Sequence, residues 1–96
     1  EAGNYLESMN QYLKCQEYWA KNSKGEYRKM ITEMNMLYCI SQGNLDASSY
    51  FQESISTKVK NIVNYFSEPM NEIRLSPENR KNVSQLSSLT FDNNSK

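Results

Sequence analysis

Apolar residues recur along this chain at helical spacing, in three stripes separated by short polar breaks. The densest lies in residues 26–42, EYRKMITEMNMLYCISQ. Tyr27, Met30, Ile31, Met34, Leu37 and Tyr38 fall at i, i+3, i+4, i+7, i+10 and i+11, which places them on one face of an α-helix. The opposite face begins polar, with Arg28, Lys29 and Thr32, and then carries Met36, Cys39 and Ile40. A helix that is apolar nearly all round is buried on more than one side. This segment therefore calls for neighbours on two sides, from this chain or from another molecule.

A first stripe precedes it. In residues 4–22, Tyr5, Leu6, Met9, Tyr12, Leu13, Trp19 and Ala20 share a face, with Gln16 among them. A glutamine there needs hydrogen-bond partners, because an unpaired buried amide costs about 1–3 kcal/mol. Tyr18 and Cys15 lie outside the centre of the stripe, and Trp19 reads as a core anchor at the base of a hairpin. The turn is Asn22-Ser23-Lys24-Gly25. Ser23 with Glu26 matches the S-x-x-E capping box, which predicts a helix start at Lys24. So short a connection makes the first two helices antiparallel neighbours.

Gly43 suits the left-handed residue beyond the end of the second helix, and Asp46 is the expected N-cap of a third, spanning 46–67, with Ser48 and Ser49 as rivals. Its stripe is Phe51, Ile55, Val59, Ile62, Val63 and Phe66, covering about a third of the circumference. Four of these positions are β-branched, so strand propensity competes. The period decides against a strand, which would send Ile62 and Val63 to opposite faces. Glu68-Pro69 ends the helix, since proline restricts the residue before it and has no N–H to donate. Met70, Ile73 and Leu75 predict one or two helical turns. Ser76-Pro77-Glu78 then predicts a new start, with serine as N-cap, proline at N1 and an acid in the first turn. Val83, Leu86 and Leu89 form its buried side.

The pattern predicts an all-α fold: an antiparallel three-helix bundle with a short fourth C-terminal helix. Residues 1–86 form a single domain and 87–96 a tail that is polar apart from Leu89 and Phe91. The initial Glu1, in place of methionine, reads as an excised domain or a processed product.

Charge and composition narrow the chemistry. Eleven basic and eleven acidic residues give a net charge of zero, so no global field favours nucleic acid or an anionic membrane. Lys58, Lys60, Arg74, Arg80 and Lys81 are the basic residues that could gather on one side, but Glu53 and Glu68 lie near the first two. Weak nucleic-acid binding is thus a minor reading. No apolar run approaches the roughly 20 residues of a membrane span. With no histidine, the commonest general base and the commonest zinc ligand are missing. No glycine-rich phosphate loop or calcium-loop pattern occurs, and the Glu68/Glu72 pair is interrupted by Pro69. The expectation is a protein that is not an enzyme and takes no cofactor or metal. Cys15 and Cys39 read as buried free thiols of an intracellular protein. The alternative is a secreted helical ligand with a Cys15–Cys39 bridge and glycans at the sequons of Asn82 and Asn93. Ser76-Pro77 also fits a proline-directed phosphorylation site, although an N-cap followed by proline at N1 explains both residues.

Protein binding remains as the leading expectation. Apolar residues exceed a single stripe on the second helix, and its three methionines suit an adaptable surface. The predicted contact residues are Met36, Cys39, Ile40, Tyr18 and Tyr50, receiving a partner helix or an identical copy.

Overall fold

In the computed structural model, which describes residues 4–94, all regular structure is helical. Helix α1 spans Tyr5–Ala20, α2 Glu26–Gly43, α3 Ile55–Ser67, α4 Pro69–Glu72 and α5 Pro77–Gln85. Single 3-10 turns occupy Ala47–Ser49, Leu86–Ser88 and Asp92–Asn94.

Side-chain pairs give the topology. At one end of the α1–α2 hairpin, the Tyr5 hydroxyl donates to Gln42 Oε1 at 3.3 Å. Midway, Gln16 Nε2 donates to Glu33 Oε2 at 2.9 Å, so these two helices are antiparallel. Along α3, Lys58 meets Glu33 and the ring of Phe66 meets that of Tyr27 edge-on at 5.6 Å; α3 is therefore also antiparallel to α2. The C-terminal stretch runs the other way. Tyr38 donates to the Asn82 carbonyl at 2.6 Å, Ser41 to that of Thr90, and Asn44 Oδ1 accepts from the Asn93 amide. The result is an up-down-up-down arrangement in which α5 and the turns after it occupy the fourth place.

Helix α2 is the centre of this arrangement. Met30, Met34, Met36, Leu37 and Ile40 are buried with Met9 of α1, Ile62 and Phe66 of α3, and Leu75 and Leu86. The two-sided cover predicted for α2 comes from this chain itself. Thr32, placed on the polar face by its spacing, is buried too; its hydroxyl donates to the Arg28 carbonyl at 2.9 Å.

Several boundaries differ from the sequence reading. The Ser23 capping box does not form: α2 starts at Glu26 with Gly25 as its N-cap residue, and no side chain caps it. A Cβ on Gly25 would lie 2.5 Å from the Trp19 carbonyl oxygen. The turn is drawn tight over Trp19, and Asn22 Oδ1, rather than Ser23, accepts from the Lys24 amide at 2.9 Å. At the other end Gly43 stays helical and Asn44 takes the left-handed conformation, φ 52°. Tyr5 explains Gly43, since a Cβ there would sit 2.9 Å from the Tyr5 side chain.

The third helix begins at Ile55, eight residues after the start that an N-cap at Asp46 sets. Asp46 caps only a 3-10 turn, its Oδ1 accepting from the Ser48 amide and hydroxyl; such local bonds compete with helix formation. Phe51 still reaches the core, from a loop. Ser54, extended at φ −66° and ψ 158°, is the cap that starts α3, and its Oγ accepts from the Thr57 amide at 3.2 Å. Ser76 caps α5 as its sequence predicts, accepting from the Asn79 amide at 3.1 Å.

The described part of the expected polar tail, 87–94, is docked. Leu89 and Phe91 pack against the core. Asn94 accepts from the Ala47 amide and donates to the Leu45 carbonyl, both at 2.9 Å. The remainder of the tail lies outside the described residues. The radius of gyration is 12.9 Å, against about 12.5 Å for a compact domain of this length. No helix of the described residues is long and apolar enough to cross a membrane.

Candidate functional site

Helix α3 carries two parallel rows of side chains, each at i, i+4, i+8. Lys58, Ile62 and Phe66 are buried against α2, whereas Ile55, Val59 and Val63 are only half-buried. The second row faces Leu86, Leu89 and Phe91 of the C-terminal stretch, and between them runs an open groove of about 450 Å³. Its geometry follows from helix length. α5 ends at Gln85, and the single turns after it cover the α3 row less completely than a continuous helix does. Lys60 is the one charged residue among the described residues that line the groove. The spacing of residues 55, 59 and 63 was legible in the sequence, but nothing in that spacing tells a half-covered row from a covered one.

The five predicted contact residues do not form a common surface. Met36 and Ile40 are 0% exposed and belong to the same core cluster as Leu86, so they are core, not a free face. Cys39 and Tyr50 are half-buried and packed against that core. Tyr18 is exposed, its ring edge-on to Trp19 at 4.7 Å. It sits by the α1–α2 turn, whereas Tyr50 follows the far end of α2, about 27 Å of helix away.

A buried polar cluster lies where α1, α2 and α3 meet. Lys58 Nζ is 3.2 Å from Glu33 Oε1 and 3.3 Å from Glu53 Oε2, and Gln16 donates to the other Glu33 oxygen. The Lys58 and Glu33 side chains are 8% and 4% exposed. Gln16 thus finds the partner its place in the α1 stripe demands. The Lys58 ammonium also lies 4.8 Å from the Phe51 ring centroid, a cation–π contact. The carboxyl of Glu53 is held below its ordinary 4.5, first by a hydrogen bond from its own backbone amide and then by the charge of Lys58.

Other cations of the sequence reading are also engaged. Arg74 stacks 3.9 Å from the Tyr27 ring centroid, and Arg80 Nε lies 3.5 Å from Glu72 Oε2. Both cysteines are free thiols, but Cys15 is exposed rather than buried; it lies on the outer side of α1, away from Met9. Cys39 is half-buried, and burial pushes its thiol above the ordinary 9.0. The described residues contain no group of three or more histidine, cysteine or acidic side chains placed to hold a metal ion. Comparison with protein-family models, curated proteins and solved structures gave no match for this chain.

Proposed function

We propose that this chain is a non-catalytic protein-binding module of an intracellular protein, and that its binding surface is the α3 groove rather than the outer face of α2. The observation that carries this reading is the half-covered row Ile55, Val59 and Val63 facing Leu86, Leu89 and Phe91. From residue 55 to residue 63 the row runs about 12 Å, or two helical turns. That length suits the apolar face of a helical segment laid along it. Lys60 at the lip favours an acidic residue beside the incoming apolar positions. The groove volume falls in the roughly 300–1,000 Å³ range of clefts that hold ligands. Two free thiols fit a reducing compartment.

A photocrosslinking residue at Ser56, on the groove lip, tests this in the native cell. The expected result is an adduct of discrete mass that disappears when Val59→Asp is added, while circular dichroism shows the fold retained. A crosslinker at Glu7, on the exposed side of α1, is the control. No adduct from Ser56, or the same adducts from both positions, would refute the reading.

A further inference from the structure

We infer that the segment received by the groove is the Met70–Ile73 turn of a second copy of this chain, joined head to tail; this rests on the groove reading above. Met70 and Ile73 are 82% and 76% exposed, the two most exposed large apolar side chains among the described residues. Ile73, the C-cap residue of α4, lies three residues after Met70 and keeps helical backbone angles, so the two are neighbours on one side of the turn. Isolated exposed apolar residues are ordinary, but this pair is held on a fixed turn. Pro69 occupies the first helical position, Asn71 Nδ2 donates to the Tyr65 carbonyl at 2.9 Å, Arg74 stacks on Tyr27, and Leu75 is buried just beyond. A turn already ordered loses little freedom on docking.

The charges match as well. Glu68, exposed, precedes the apolar pair, and Lys60 is the charge that the described residues place on the groove. A net charge of zero leaves no long-range repulsion between copies. Within one copy the pair stays exposed, so a copy's own groove does not hold it; the groove of a second copy can. Such a contact joins two different surfaces, leaving one free turn and one free groove at the ends of every dimer. Association is therefore open-ended or closes into a ring. An interface this small is weak and forms at high protein concentration.

Light scattering over a concentration series tests this. The weight-average mass of the parent chain rises with concentration and passes that of a dimer. Met70→Asp/Ile73→Asp and Val59→Asp each remain monomeric. Lys60→Glu, a surface change that does not threaten the fold, weakens association. The decisive sample is an equimolar mixture of the turn variant and the groove variant. One intact groove then meets one intact turn, so the mixture forms dimers and nothing larger. A parent that is monomeric throughout, or a mixture that never rises above monomer, overturns the inference. The Ser56 adduct separates this failure from failure of the groove itself. An adduct one chain mass heavier supports the second copy. An adduct of another mass removes the second copy as occupant and leaves the groove standing.

Discussion

Replacing Lys58 by methionine should be among the most damaging single changes in this chain. Among the described residues the ammonium is the only positive charge bonded to Glu33, whose side chain is 4% exposed. Without it the carboxylate keeps one donor, Gln16 Nε2. Removing one partner of a buried ion pair costs about 3–5 kcal/mol, because the remaining charge is left in a poorly solvated site. A domain of this size has a total stability of roughly 5–14 kcal/mol, so the loss is a large share of it. The Glu53 contact adds little, since Glu53 faces solvent. With a urea m value near 2 kcal/mol/M, the midpoint of unfolding falls by roughly 2 M, measured by circular dichroism. Glu33→Met alone should be comparably damaging. The double variant should recover to within about 1 kcal/mol of the parent, because two well-packed apolar side chains replace a buried pair at little net cost. If Lys58→Met unfolds within about 0.5 kcal/mol of the parent, or if the two losses simply add, the account of this cluster is wrong.

Four further outcomes follow from the geometry. Ser54→Ala and Ser76→Ala each lose about 1 kcal/mol in urea unfolding, while Ser23→Ala, which removes no cap, stays within about 0.5 kcal/mol; a large effect at Ser23 would restore the capping box. Gly25→Ala destabilises by about 1–3 kcal/mol because its methyl group meets backbone at Trp19, and a gain in stability would contradict that close approach. Maleimide at neutral pH modifies Cys15 well before Cys39, which is half-buried with its pKa raised by burial; equal rates count against this placement. Glu53 has a lowered pKa, so its stabilisation is present above 4.5 and is lost as pH falls through the lower folded value. Glu53→Gln should therefore show a shallower acid loss of stability than the parent, and an identical acid limb would remove Glu53 from the account.

The helical period of the stripes was enough to locate α1, α2 and α3 and a turn at Met70–Ile73, while Pro69 and Ser76-Pro77 marked the break and the start of α5. It also marked α2 as needing cover on two sides. Helix starts were less legible, because Asp46, Ser48, Ser54 and Ser23 are all good caps by type. Which of them acts depends on where Trp19 and Phe51 pack. The proposed contact residues Met36 and Ile40 show the same limit. Their excess over one stripe was visible, but an apolar surplus looks alike whether another protein or the chain's own C-terminus covers it. Lys58 is the reverse case, a charged residue whose burial nothing local announces. Its partner lies 25 residues away on another helix.

Taken by itself, then, the order of residues determined the helical class, the central place of α2 and the N-cap at Ser76, because these depend on periodicity and on bonds within a few residues. Only the tertiary structure decided that α5 and residues 86–94 close over α2. It alone paired Lys58 with Glu33, left the row Ile55, Val59, Val63 half-open and turned Met70 and Ile73 outward. Those outcomes depend on the volume each helix can cover and on contacts between segments far apart in the chain, which no local pattern encodes.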